Sequence, residues 1–310
     1  MSITVSGLKS AELSRKSGVT YVEATEEWQR SRNLSEATSI ELCINHYPDS
    51  LVNETTRRFL IVIEPTITWP SNALYLPEEY ERVFAAGPIS GAQSLEWFHE
   101  PSNEAPDISL TEFNTKVDKF TILASNKLSF IRGELYSLRR EVACSHSNSV
   151  DLYGYDWNNS LFAKVRKVVG EVWICLCLNQ KLELKSIRCF FFRFRNYKGS
   201  VQSKLGPYAR NKYALVIENS MELRTEKLYD AVEAGAIPIY VGPDVEADVP
   251  KQLFISAKPN LAAVSEAMKD AQRMDANEWL NERKKWMQSP SYRRTSKERF
   301  FRFLDQEVNG

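Results

Sequence analysis

Short runs that are apolar at nearly every position, each ending abruptly in polar residues, alternate along this chain with stretches whose apolar residues recur at helical spacing. A run too short for a helix and apolar throughout fits a strand buried on both faces of a parallel sheet. Ile40–Asn45 and Phe59–Ile63 read as such strands in the first third of the chain, after a polar, weakly patterned segment with helical spacing over Tyr21–Leu34. Phe120–Ala124, Val150–Gly154, Tyr213–Ile217, Ile237–Val241 and Pro250–Ile255 continue the series. Helices are predicted over Gly133–Val142, from Thr225 as N-cap through Leu228 and Val232, and over Leu261–Met274, Asn277–Met287 and Ser296–Val308. The alternation predicts an α/β protein with parallel sheets.

A Pro-, Asn- and Asp-containing stretch at Asn103–Leu110 interrupts the pattern and marks a domain boundary. The expected organisation is an N-terminal domain over 1–110, a second over 111–288, and a terminal helical segment, 289–310, that packs back on the first domain. Leu161–Arg195 mixes apolar and basic residues and contains Phe190-Phe-Phe-Arg-Phe-Arg195. Its strongest apolar run, Val172–Leu178, reads as core; a membrane-facing amphipathic patch is the other reading of this segment.

The totals narrow the chemistry. With 310 residues, 43% of them hydrophobic, the chain can bury more than one core. Lys plus Arg balances Asp plus Glu at 40 each, so net charge points to neither nucleic acid nor an anionic surface as the main partner. The five cysteines are an odd set without a C-x-x-C pair, which argues against a disulfide framework or zinc site and fits a reducing compartment. His46, His99 and His146 lack metal-ligand spacing. The N-terminus lacks a signal-peptide pattern, and no segment nears the ~20 apolar residues that span a bilayer.

Asn211–Pro243 carries the most specific chemistry. It reads strand, polar turn Glu218-Asn219-Ser220, helix, strand, and a loop at the carboxyl edge of such a β-α-β unit is where anions bind. Lys227 in the first turn of the helix opposes the dipole unless an anion or carboxylate compensates it, which suggests a phosphate contact; an ordinary solvated helix face is the alternative. Glu64, at the carboxyl end of the Phe59–Ile63 strand, is placed either as a site carboxylate or as a solvated strand-end residue.

E-N-S at 218–220, T-E-K-L-Y-D-A-V at 225–232 and A-G-A-I-P-I-Y-V-G-P at 234–243 resemble the donor motif of the α-1,3-fucosyltransferases, glycosyltransferase family 10. Ser125-Asn126 with Arg132, Val150–Gly154 and Tyr197–Lys204 resemble further segments of that family, whereas Arg57–Pro65 resembles its catalytic-carboxylate segment mainly by position. One departure stands at Leu223, where the family has an aromatic residue. The resemblance spans about Phe120 to Ile255 and implies the GT-B architecture, two Rossmann-like domains with the active site in the cleft between them. It also implies inverting transfer of L-fucose from GDP-fucose to an oligosaccharide or glycolipid acceptor.

On the same resemblance Glu64 is the base. Arg132 and Lys227 stabilise the departing diphosphate without an obligatory metal, a divalent cation being at most stimulatory. Glu218, Asn219, Thr225 and Glu226 complete the donor site. Trp69 and Trp97 read as packing residues before sugar-stacking ones. The resemblance is to the soluble bacterial form, implying a cytoplasmic location with peripheral association at the inner membrane face. Two rivals remain: a GT-B enzyme using another nucleotide sugar, and a non-catalytic sugar-nucleotide or glycan-binding protein.

Overall fold

The computed structural model describes residues 2–6, 27–28, 30–31, 39–45, 57–62, 67–68, 70–74, 76–85, 91–94, 105–201, 203, 205–245, 248–293 and 297–308. The chain divides into two compact units, one formed by Met1–Pro101 with Arg293–Gly310 and the other by Ser102–Tyr292.

The described strands of the first unit form one parallel sheet in sequence order: β1 Ser2–Ser6, β2 Ser39–Ile44, β3 Arg57–Val62, β4 Arg82–Ala85 and β5 Gln93–Ser94. β3 is buried at every position after its first residue, as a central strand covered on both faces must be. Cys43, Leu60, Val62, Tyr80, Val83 and Ala85 form a core cluster against it. Arg58 is buried in this strand because Glu41 on the neighbouring strand accepts from its Nε at 2.6 Å and the Tyr80 ring lies 5.0 Å from its guanidinium carbon.

The second unit opens with α1 Leu110–Thr115, started by a reciprocal capping box between Ser109 and Glu112. It continues with β6 Val117–Leu123, α2 Tyr136–Ser145, β7 Val150–Tyr153, α3 Leu161–Cys177, β8 Tyr197–Gly199, α4 Leu205–Arg210 and β9 Asn211–Ile217. After them come α5 Lys227–Glu233, β10 Ile237–Val241, β11 Ile255–Ser256, α6 Leu261–Arg273 and α7 Ala276–Gln288. The predicted strand at Pro250–Ile255 is mostly a 3-10 turn, Lys251–Leu253, before the two-residue β11. All the strand pairs are parallel, in the order β11-β10-β9-β6-β7-β8. Numbered within the unit this is 3-2-1-4-5-6 read from the other edge, the doubly wound Rossmann order.

Phe120 and Tyr213 face each other in register on β6 and β9 with ring centroids 4.7 Å apart, which fixes the central pairing. Gly154 ends β7 at φ +123°, and a Cβ there would stand 2.1 Å from the Ala124 carbonyl oxygen. Only glycine lets these two strand ends approach so closely.

Two crossover helices depart from their sequence readings. Arg139 and Arg140 on α2, whose charge alone suggests surface positions, are buried. The Val172–Leu178 run of α3, read as core, buries Cys175 but exposes Trp173 and Leu176. In the aromatic run that follows, Phe190 and Phe194 are buried whereas Phe191 and Phe192 are exposed.

The last helix, α8 Lys297–Val308, belongs to the first unit. Phe303 meets Phe84 of β4 edge-to-face at 4.8 Å, and Phe300 and Leu304 are buried. Asp305 accepts from Trp28 Nε1 at 2.9 Å, and Glu307 pairs with Arg82. No helix among the described residues is long and apolar enough to cross a membrane.

Candidate functional site

From β6 the chain winds outward through β7 and β8, then returns to the other side of β6 at β9. The loops after β6 and β9 therefore part at the centre of the sheet, and open α/β sheets place their ligand crevices outside the carboxyl ends of such a strand pair. Here the two loops are stitched together. Glu134 and Ser220 form an antiparallel bridge, and the Leu135 N–H donates to the Asn219 carbonyl at 3.0 Å.

Glu218 continues β9 by one residue, its N–H donating to the Val241 carbonyl at 2.8 Å. Its side chain is fully buried, an arrangement that needs partners at both oxygens. Thr225 supplies them: its backbone N–H donates to Oε1 at 2.9 Å and its hydroxyl to Oε2 at 2.7 Å. Lys227 Nζ donates to Thr225 Oγ1 at 2.7 Å and lies 3.4 Å from Glu218 Oε2. Lys227 is the first residue of α5, and Glu218 is the carboxylate that compensates its charge there. Since an ammonium has three donors, this leaves one unassigned on a partly exposed side chain. Gly242 makes room for the arrangement: a Cβ at that position would lie 2.6 Å from Glu218 Cγ and 2.5 Å from the Tyr240 hydroxyl.

The other predicted donor residues take varied places. Asn219 is buried, and its Oδ1 accepts from Arg139 Nη2 at 2.9 Å. Thr225 is not the helix cap; Glu226 occupies that position, half-buried, and makes no side-chain capping bond. The cap is lost because the Thr225 hydroxyl is committed to the Glu218 carboxylate. Arg132 sits in the turn two residues before the Glu134 bridge, exposed, with no hydrogen bond or ion pair to any described residue. Leu223 is buried, so the position that is aromatic in the resembled family serves packing here. Glu64, Trp69 and Trp97 lie outside the described residues.

Sequence reasoning missed the groups that hold these loops. Arg139 donates from Nε and Nη2 to the Ile217 carbonyl at 2.8 and 2.6 Å, as well as to Asn219. Burial lowers its pKa from the ordinary guanidinium value, against the pull of nearby Tyr136, Glu218 and Glu134. Arg140 donates to Asn126 Oδ1 at 3.3 Å and the Lys127 carbonyl at 2.6 Å, anchoring the loop that carries Arg132; burial pulls it down to about 10. Glu134 is buried and accepts from the Ser137 backbone at 2.9 Å, the Ser137 hydroxyl at 2.6 Å and the Ser186 hydroxyl at 2.8 Å. A signal for Arg139 does exist: it falls at helical spacing between Leu135 and Val142, on the face the apolar residues mark as inward. His146 is structural, its Nε2 lying 2.8 Å from Ser265 Oγ.

Neither a family model nor a curated protein matches this sequence. Solved structures do match its fold. An α1,3-fucosyltransferase structure is 12% identical over 99% of this chain and 90% of its own, with a TM-score of 0.57. A trehalose-6-phosphate synthase, 10% identical over 94% of this chain and 78% of its own, scores 0.55. HepE of Anabaena, solved with UDP and glucose, is 8% identical over 94% of this chain and 82% of its own and scores 0.54. At such identities the likeness concerns architecture: the chain has the GT-B fold of these glycosyltransferases, built on parallel sheets.

Proposed function

We propose that this chain is an inverting glycosyltransferase that moves L-fucose from GDP-fucose to a hydroxyl of a GlcNAc- or glucose-type acceptor, forming an α-1,3 linkage. The observation that carries the reading is the Glu218–Thr225–Lys227 cluster at the carboxyl end of β9, built from the same residues that resemble the family's donor motif. The fold adds support, since a similar α1,3-fucosyltransferase structure holds GDP.

In this reading Arg132 and the remaining donor of Lys227 engage the pyrophosphate. A guanidinium fork suits two phosphate oxygens and stays charged at any working pH. Glu218 acts at one remove, holding Thr225 and Lys227 in position, while Asn219 and Glu226 line the pocket. The acceptor hydroxyl attacks the anomeric carbon opposite the diphosphate, the carbon–oxygen bond to GDP breaks, and Glu64 takes the hydroxyl proton. Charge developing on the leaving diphosphate is met by the two cations, so no metal is required.

GDP should raise the melting temperature of the protein, and Arg132→Ala and Lys227→Ala should each weaken GDP binding tenfold or more, a charged hydrogen bond to phosphate being worth ~1.5–3 kcal/mol. Glu64→Gln should keep GDP affinity while transfer falls by ~10²–10⁴. Unchanged GDP affinity in both cation variants overturns the donor assignment. A second reading, transfer from a uridine-linked sugar, takes its support from the Anabaena structure with UDP, and tighter binding of UDP than of GDP selects it. GDP binding without transfer to any acceptor favours a sugar-nucleotide-binding protein.

A further inference from the structure

α3 is amphipathic in the wrong sense for a helix covering a sheet. At 100° per residue Leu161, Phe162, Val165, Val169, Trp173 and Leu176 fall within one 120° arc, and all six are exposed, Phe162 to 79% and Trp173 to 68%. The opposite face is the inward one and carries the charges. Lys164 is buried with Nζ donating to the Phe192 carbonyl at 2.9 Å. Lys167 donates to the Asn126 carbonyl at 3.3 Å and Asp156 at 2.8 Å. Glu171 is partly buried, and desolvation pushes its carboxyl up to about 7 against the pull of Lys167. A helix that spends lysines on its inner contacts and turns its apolar stripe outward leaves a patch of the kind that marks an interaction surface.

The surroundings of the stripe choose the partner. Residues 161–198 carry nine Lys and Arg against two Glu, in a chain whose totals balance at 40 each. Arg166, Lys181, Lys185, Arg193 and Arg195 are exposed and form no ion pair among the described residues, and exposed Phe191 and Phe192 interrupt them. An outward apolar stripe with aromatic residues, bordered by unneutralised cations, matches the two demands of a lipid interface: apolar area for the acyl boundary and positive charge for anionic headgroups. A second copy would bring two such cationic borders together. At 17 residues α3 is about 25 Å long and is crossed by its own lysines, so it lies along a surface rather than through it.

We propose that the outer face of α3 with the adjoining 181–195 segment docks this protein on an anionic membrane surface. The proposal does not rest on the donor reading, and its test needs neither nucleotide nor sugar. The full chain is sedimented with phosphatidylcholine vesicles and with vesicles containing phosphatidylglycerol, at low and high salt, beside a mass measurement without lipid. Binding should be selective for the anionic vesicles and fall with salt, because the headgroup attraction is screened within a Debye length. The double substitutions Phe162→Ser/Trp173→Ser and Lys181→Glu/Lys185→Glu should each weaken binding by about tenfold or more. The second pair leaves α3 untouched, so it reads the surface even where the first perturbs folding. No binding to either vesicle, or binding unchanged by both pairs, overturns the proposal. A dimer in the absence of lipid that Phe162→Ser/Trp173→Ser dissociates also overturns it, by assigning the stripe to a second copy.

Discussion

α2 and α3 are consecutive crossovers of one sheet, the first joining β6 to β7 and the second β7 to β8, yet their polarities are opposed to their surroundings. α2 sends two arginines inward, and each finds carbonyl or amide acceptors at the strand ends. α3 sends a nearly continuous apolar stripe outward and keeps two lysines and a glutamate on its inner side. Hydrophobicity alone set burial in neither helix: α2 buries its arginines beside Tyr136, Leu138, Val142 and Ala143. Burial of the charges followed what lay opposite: backbone acceptors waiting at the carboxyl ends of β6 and β9 for α2, and the Phe192 carbonyl with Asp156 for α3. A charged side chain is tolerated inside when every donor is met, and an apolar one outside when a partner of another kind covers it.

The strongest way to break this contrast is at Arg139. Arg139→Met removes charge-assisted bonds worth ~1.5–3 kcal/mol each but also the cost of burying the charge, so a net loss on the order of 3 kcal/mol is expected in denaturant unfolding. Arg139→Lys should not rescue it, because a single ammonium cannot reproduce a fork that meets the Ile217 carbonyl from two nitrogens and Asn219 from one. Full stability in the lysine variant would mean that a point charge suffices there.

A smaller, pH-dependent effect belongs to Glu171. Its carboxyl is raised to about 7 by burial, while an unfolded glutamate titrates at about 4.3, so between these values the folded state holds the extra proton. The stability this contributes is complete below the unfolded value and is lost as pH rises through 7. Glu171→Gln should therefore raise stability at pH 8 by about 1 kcal/mol, discounted for its partial exposure, and change it little at pH 4. Melting curves of the two proteins across that range check the sign; a gain confined to acid would reverse the assignment.

The smallest expected effect sharpens the comparison from the other side. Val169→Ser and Trp173→Ser, in buffer without lipid, should shift folding stability by no more than about 0.5 kcal/mol, as for surface substitutions generally. A loss of several kcal/mol, on the scale of a buried tryptophan, would place the stripe in a core and remove the contrast between the helices.

Much of the candidate site was legible one residue at a time. The turn at Glu218–Ser220, the helix holding Lys227 and the strand Ile237–Val241 stand where the pattern of apolar runs puts them. Pairings were less legible. Lys227 reads as a phosphate contact or a solvated charge, and the fold adds that Glu218, nine residues earlier, is its partner through Thr225. The Thr225 hydroxyl has two local uses open to it, capping α5 or capping a carboxylate, and only the position of the buried Glu218 decides between them. Glu64, Trp69 and Trp97 fall outside the described residues, so the base assignment rests on the sequence resemblance alone.

By itself the sequence placed the central strands β3, β6, β7, β9 and β10 and the helices α2, α5, α6 and α7, because a short wholly apolar run and a 3.6-residue spacing are local properties of the chain. It also marked the polar turns, Glu218–Ser220 among them, whereas the need for glycine at 154 and 242 comes from the Ala124 carbonyl and the Glu218 and Tyr240 side chains that the fold brings there. The tertiary structure alone decided that β9 lies beside β6, so that loops some ninety residues apart bridge at Glu134 and Ser220. It likewise decided which acceptors the arginines of α2 reach and that the tryptophan of α3 points out. Those choices depend on acceptors, charges and free surface contributed by distant segments, and the free energy of burying a side chain is a property of its surroundings rather than of the residue.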